Sequence, residues 1–279
     1  SRGCPYRCSF CSSANQPLRQ RDLALVKEEL AFLAGIGEGQ IKFVDRTFNS
    51  DPQRAGEICQ YLLELYQPGL SWHLEISPYN LSSDFLAILQ KAPAGYFRLE
   101  AGVQSLHPPV LQAIGRHGQW DKAKKNIQRL MAADNLHLHL DLIAGLPYEN
   151  STTFSYAFNE LHALAPHYLQ LGFLKILPGS LLAEEKEKFT LVYRHYPPYQ
   201  ILSTADQSAQ ELLLLRRVEE MVDAFYNCRR FRQSLYQAGI YWPGGAMAFY
   251  QALAEEKAAY CLGGLALKDK FRLLWNLFS

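Results

Sequence analysis

An α/β fold built on a parallel sheet, followed by a mostly helical C-terminal part, is the architecture that this 279-residue sequence predicts. Three observations carry it. Five strand-like runs, each separated from the next by a helical pattern, recur roughly every thirty residues, the rhythm of βαβ units. Within most of these runs polar and apolar residues alternate, as on strands with one face in each environment. After Pro178 the strand rhythm stops and helical periodicity takes over.

Taken in order, Asp22 can cap a helix that runs to about Gly35, with Leu23, Val26, Leu30 and Leu33 on one stripe. A strand is expected over Gln40–Phe48, and Pro52, a good first-turn residue, opens a helix through Ile58, Leu62 and Leu65. Leu70–Ser77 reads as the next strand, and Ser82 or Ser83 starts a helix carrying Phe85, Ile88 and Leu89. The strand Tyr96–Gln104 leads into a helical stretch between Pro108 and Ala133, broken near Gly115–Gly118. Then come a strand His137–Ala144, a helix from about Thr152 to Leu164 and a strand Tyr168–Leu177. Beyond a polar, aromatic segment over Glu184–Pro198, helix is expected from Ser208 onward, with shorter pieces at Ala246–Glu256 and Leu267–Phe278. The organisation is thus 1–180 for the sheet and 181–279 for the helical extension.

Strand parity says which residues share a face. One face collects His73 and Glu75, then Arg98, Glu100, Gly102 and Gln104, then His137, His139 and Asp141. The other collects Trp72, Leu74 and Ile76, then Leu99, Ala101 and Val103, then Leu138, Leu140 and Leu142. The apolar set would pack under helices, which leaves the polar set to line an interior. A closed barrel fills its interior with branched apolar side chains. A polar interior suits an open barrel that holds a ligand, since buried charge and function go together.

The chain is 48% hydrophobic and 20% charged with a net charge of +1, the balance of an ordinary globular protein. Nothing in it asks for nucleic acid or an anionic membrane. No apolar run reaches the ~18 residues of a membrane span, and no signal-peptide pattern is present. Cys59, Cys228 and Cys261 are scattered and read as packing residues, which points to a reducing, cytoplasmic compartment. Cys4, Cys8 and Cys11 are different. They stand at C-x3-C-x2-C within one short stretch, with no fourth cysteine nearby. Thiolates this close can wrap one compact metal centre, and iron–sulfur clusters are held in that way. Structural zinc asks for four protein ligands, and an odd count at this spacing does not suit a disulfide.

With Phe10 just before the last cysteine, the run Cys4–Cys11 resembles the signature of the radical S-adenosylmethionine (SAM) superfamily. The resemblance implies a [4Fe-4S] cluster on Cys4, Cys8 and Cys11, with SAM chelated at its open iron and split to a 5′-deoxyadenosyl radical. It also implies a reductant such as flavodoxin or ferredoxin. The implied fold is a partial (β/α)6 TIM-like barrel, and its first strand, which precedes the cluster loop in this superfamily, would lie ahead of Ser1. Phe43–Asn49 resembles the second-strand motif of the cobalamin-associated branch, which makes Asp45 a candidate partner for the SAM ammonium. Glu75 resembles a third-strand carboxylate of oxygen-independent coproporphyrinogen oxidases, and Glu100-Ala101-Gly102-Val103-Gln104 is similar to their fourth-strand motif. Arg116 stands where that family places an arginine on the SAM carboxylate, and Leu140–Pro147 resembles its fifth-strand motif, with Asp141 as a SAM ligand. Lys175–Gly179 fits the end of the sixth strand. The branch further implies cobalamin, in a doubly wound domain upstream of the barrel, and an unknown substrate for which methyl transfer is one outcome. Two rival readings stand beside this one. One is a divalent-metal barrel hydrolase using His137, His139 and Asp141, and the other an iron–sulfur module without SAM chemistry.

Overall fold

The computed structural model describes residues 1–14, 16–260 and 265–278. A curled, five-stranded parallel half-barrel holds the strands in sequence order, β1 (Gly39–Lys42), β2 (Leu70–Ile76), β3 (Phe97–Gln104), β4 (His137–Ala144) and β5 (Tyr168–Phe173). Register is set by Gly39 opposite Leu70 through Lys42 opposite His73, and by Trp72 opposite Phe97 through Ile76 opposite Ala101. Helix α1 (Leu23–Ala34) precedes β1, and α2 (Pro52–Glu64), α3 (Ser83–Gln90), α4 (Pro108–Ala113), α5 (Trp120–Ala132) and α6 (Ser151–Ala163) connect the strands. The starts are locally encoded: Asp22, Asp51, Ser82 and Asn150 each accept backbone N–H groups at a helix N-terminus.

Strand parity holds on β2, β3 and β4. Leu70, Trp72, Leu74 and Ile76 are buried, as are Phe97, Leu99, Ala101 and Val103, and Leu138, Leu140, Leu142 and Ala144. The alternate residues are half-exposed. Sheets of parallel strands are ordinarily covered on both faces, so this one keeps an open, polar side.

Two compact units can be separated. The first comprises Ser1–Gln104, Leu111–Asp141 and Ile176–Glu185, the last holding the short helix α7 (Leu181–Glu184). Its core is built from Leu30, Ile58, Leu62, Phe85, Leu89, Ile127 and Leu130 of the helices and the buried faces of β2, β3 and the start of β4. Each such side chain contributes about 1.5–3 kcal/mol by leaving water. The second comprises Ser105–Val110, Leu142–Lys175 and Lys186–Ser279. It includes a hairpin, β6 (Val192–Tyr193) with β7 (Ile201–Ser203), and helices α8 (Ala209–Met221), α9 (Arg232–Tyr241), α10 (Gly245–Ala259) and α11 (Leu267–Phe278). A π-helical turn over Val222–Asn227 follows α8. There the Asn227 carboxamide donates to Leu169 O (3.0 Å) and accepts from Leu169 N (2.9 Å), completing the pairing of β5 as a further strand would.

Two strand expectations are corrected. The strand expected over Gln40–Phe48 ends at Lys42, because Asn49 pulls the chain into a 3-10 turn at Phe48–Ser50. Its buried carboxamide donates to Ser77 O (2.9 Å) and Asn80 O (2.7 Å) and accepts from Ser77 N (2.8 Å). The strand expected to reach Leu177 stops at Phe173, where the hairpin takes over: Leu174 N still donates to Ala144 O, but Leu174 O accepts from Ile201 N. The hairpin and the π turn have no counterpart in the sequence pattern. Cys59 is buried as expected, Cys228 is exposed beyond the π turn, and Cys261 lies outside the described residues.

Candidate functional site

All the residues singled out for cofactor and metal binding fall in the first unit. The cysteine loop is pinned through its backbone. Arg2 and Arg19 exchange hydrogen bonds, Cys4 N donates to Gln16 O, Ser9 N donates to Ile114 O (3.0 Å) and Ser9 O accepts from Leu182 N (2.8 Å). Two glycines let backbone meet backbone. At Gly3 (φ +81°) a Cβ would lie 2.2 Å from Pro17 O, and at Gly115 (φ +67°) it would lie 2.5 Å from Arg7 O. Cys8 is buried, and Cys4 and Cys11 are half-buried. Burial pushes the Cys8 thiol up, the Arg116 guanidinium beside it pulls the other way, and the charges of Cys11 and Cys4 add to the rise. The three thiols are therefore electrostatic neighbours, with a cation at hand to favour thiolate.

Gln104, Arg116 and Gly102 meet at the end of β3. Arg116 Nη1 donates to Gly102 O (2.7 Å). A Cβ on Gly102 would sit 2.3 Å from Gln104 Nε2 and 3.6 Å from Arg116 Nη1, so glycine makes room for both heads. Gln104 has φ +72°, unusual for a residue with a side chain, and its buried Oε1 has no hydrogen-bond partner. A strained backbone that aims an unsatisfied carboxamide is the signature of a site rather than of a core.

Asp45 lies on the loop after β1, where its Oδ1 accepts from the Ser1 backbone nitrogen (2.8 Å) and hydroxyl. Two residues on, Thr47 Oγ1 comes 3.9 Å from Cys4 Sγ. Glu75 and Glu100, side by side in the register of β2 and β3, are both occupied by a residue the sequence did not single out. Lys42 Nζ is 2.9 Å from Glu75 Oε1 and 3.4 Å from Glu100 Oε2. His73 Nε2 is 2.9 Å from Glu100 Oε2, and Gln40 Nε2 is 3.3 Å from His73 Nδ1. With Gln40 donating to Nδ1, the His73 proton sits on Nε2 and is donated to the carboxylate. Burial would raise the Glu100 pKa, yet the nearby His139, the His73 hydrogen bond and Lys42 hold it below the ordinary carboxylate value. Strand parity places His73 on this face already, and Lys42 joins it through the register that sets it opposite His73. On β4, His139 Nε2 is 2.7 Å from Asp141 Oδ1, close enough for an ion pair but outside hydrogen-bond alignment. No hydrogen bond among the described residues links Asp45 or Asp141 to the Gln104–Arg116 group.

Among the described residues no three Cys, His, Asp or Glu side chains gather as a single metal ion would need. That tells against a mononuclear site at His137, His139 and Asp141. A four-iron cube takes each thiolate on a different iron, so its ligands need not converge on one point. Three soft donors on one pinned loop, with no fourth, fit such a cluster by their chemistry.

Residues 1–161 match the model of the Radical SAM superfamily. The chain belongs to that superfamily. Residues 187–279 match a second model, described as a protein of unknown function (DUF4080). An uncharacterized methyltransferase of Pyrococcus horikoshii is 30% identical over 192 residues, 66% of this chain and 40% of its own length. The cobalamin-dependent radical SAM methyltransferase TokK of Streptomyces tokunonensis is 28% identical over 190 residues, 65% of this chain and 28% of its own. The chain therefore spans less than half the length of either relative. Among solved structures, the radical SAM methyltransferase TsrM of Kitasatospora setae, with cobalamin and a [4Fe-4S] cluster bound, superposes with a TM-score of 0.58 at 19% identity. That match covers 70% of this chain and 37% of TsrM. The coproporphyrinogen III oxidase of Escherichia coli gives 0.55 at 18%, covering 79% and 50%. At such identities the likeness is one of fold, and it agrees with the half-barrel.

Proposed function

We propose that this chain is the SAM-cleaving core of a cobalamin-dependent radical methyltransferase. When bound, a [4Fe-4S] cluster reduces SAM to methionine and a 5′-deoxyadenosyl radical, chemistry that belongs to the cofactors while the protein holds and orients them. Cys4, Cys8 and Cys11 would supply the three thiolates. The observation that carries the proposal is the meeting of Cys8, Arg116 and Gln104 against Gly102 and Gly115. It puts a cation and an unsatisfied carboxamide beside the cysteine loop, where the carboxylate and ammonium of an amino acid need partners. Asp45 and Asp141 supply further acceptors, and Glu75 and Glu100 line the interior below through Lys42 and His73. The methyl-transfer outcome and the cobalamin rest on the relatives that the chain resembles, and a cobalamin-binding domain in the longer protein would supply that cofactor. A flavodoxin or ferredoxin would deliver the electron, in the cytoplasm, to act on a small-molecule or other, unidentified substrate.

Anaerobic reconstitution with iron and sulfide tests the core of the proposal. The wild-type chain should take up a cluster and, once reduced, release methionine and 5′-deoxyadenosine from SAM. The triple Cys4/Cys8/Cys11→Ala variant should hold no cluster, and Cys59→Ala and Cys228→Ala should keep it. Asp141→Ala should keep its iron but bind SAM more weakly by roughly 1–3 kcal/mol, the scale of a lost hydrogen bond to a charged group. Full iron content in the triple variant would sink the assignment.

A further inference from the structure

The loop after β4 carries an aromatic side chain where its turn asks for none. Glu149 N donates to Leu146 O (3.1 Å), Pro147 fixes the second position of the turn, and Tyr148, in the third, has φ +63°. Proline ahead of a positive φ is the pattern of a type II turn, whose third position ordinarily falls to glycine or asparagine. A tyrosine there costs free energy, because its Cβ crowds the backbone. Burial does little to offset that cost. Tyr148 is 47% exposed, and the aromatic ring against it is Phe189, perpendicular to it with centroids 5.6 Å apart.

The turn is nonetheless braced by the segment that follows β7. Tyr148 N donates to Asp206 Oδ2 (2.8 Å), and Gly145 N donates to Oε1 of the buried Gln207 (2.9 Å). Thr204 ties the two bracing residues together: its Oγ1 accepts from Asp206 N (3.1 Å) and Gln207 N (2.9 Å), and its N donates to Gln207 O (2.9 Å). Gly145 (φ +82°) lets β7 close on the loop, since a Cβ there would lie 2.6 Å from Ile201 Cγ2. All of these residues belong to the second unit. A strained backbone held by dedicated hydrogen bonds, with its ring left half in water, gives up stability to present that ring. Beside it, Asp206 is exposed, and its Oδ1 accepts no hydrogen bond among the described residues.

We propose that Tyr148 and Asp206 form a binding site for a planar heteroaromatic ring that bears an N–H group. The ring stacks on the phenol, and its N–H donates to the free carboxylate oxygen. A tyrosine ring is rigid and offers a π face to such a ligand. The test uses indole, with 1-methylindole as the probe that cannot donate, and it needs neither cluster nor SAM. Wild-type protein should bind indole in ligand-observed NMR, and 1-methylindole several-fold more weakly. Tyr148→Phe should keep indole binding, whereas Tyr148→Gly should weaken it roughly tenfold, the scale of one lost stacking contact. Tyr148→Gly should also melt no lower than wild type, because glycine suits this turn position. A ring that merely held the fold would make that variant melt lower, which overturns the proposal. So does a wild-type protein that binds no indole, undiminished binding in Tyr148→Gly, or equal affinity for the two probes. If Tyr148→Gly does not fold, Tyr148→Asn, which also tolerates the turn, must give the same pattern.

Discussion

Gly115 carries two constraints at once. Its φ of +67° is left-handed, and a Cβ would press on Arg7 O at 2.5 Å, one residue before Cys8. Gly39 carries only the first: φ is +110°, with nothing within 4 Å of its would-be Cβ. Backbone strain alone costs of order 1–3 kcal/mol, so Gly39→Ala should lower stability by about that much and leave cluster uptake intact. Gly115→Ala should lower stability similarly and also reduce the iron bound per chain, since the obstacle is backbone and the cysteine loop must give way. Equal iron content in the two variants would mean that the Gly115–Arg7 contact does not set the loop.

At the level of elements, what was legible in the sequence depended on whether local chemistry decided it. Helix starts were legible because Asp22, Ser82 and Ser208 accept N–H groups of the turn they begin. The open face was legible because period-two alternation survives from His73 to Asp141. The length of β1 was not, because it is ended by Asn49 bonding to residues some thirty positions away. Likewise the partners of Glu75 and Glu100 depend on register, which fixes Lys42 beside His73 only once the sheet exists. The short β1 also carries a prediction. Gly39 N donates to Gly69 O, just before β2, and Phe43 N to His73 O of β2, so by alternation the N–H groups of Gln40 and Lys42 face the open side of the outermost strand. A cavity of about 250 Å3 beside it is lined by apolar Leu30, Leu33, Ile41 and Trp72 and by charged Arg21, Glu29, Asp45 and Arg54. An unpaired edge is what native sheets cover. In a longer chain that extends ahead of Ser1, a preceding strand is expected along β1, and the Gln40 and Lys42 amides should exchange more slowly than in residues 1–279. Identical exchange in the two chains would remove the first-strand expectation.

Over the whole molecule, acid stability should be governed by a histidine remote from the cysteine loop in sequence and chemistry. His162, on α6 in the second unit, is 1% exposed and ringed by Phe158, Tyr226, Tyr236 and Tyr250, with ring centroids 5.2–6.2 Å away. Gly239 makes room for it, since a Cβ there would lie 2.6 Å from the imidazole Cε1. Burial lowers its pKa to about 4 from an ordinary 6.5. The unfolded chain therefore takes up a proton more readily than the folded one between these values. Stability from this group is fully present above pH 6.5, falls as pH drops towards 4, and changes no further below that. The full span amounts to roughly 3 kcal/mol. Glu149 runs the other way, because its raised pKa favours the folded state as it protonates. A comparison that leaves Glu149 in place isolates the histidine. His162→Leu, of similar size and unable to take a proton, should lose markedly less stability than wild type between pH 6.5 and 4 in urea titrations. Parallel losses in the two proteins would show that the aromatic ring around His162 opens to water before the imidazole must charge.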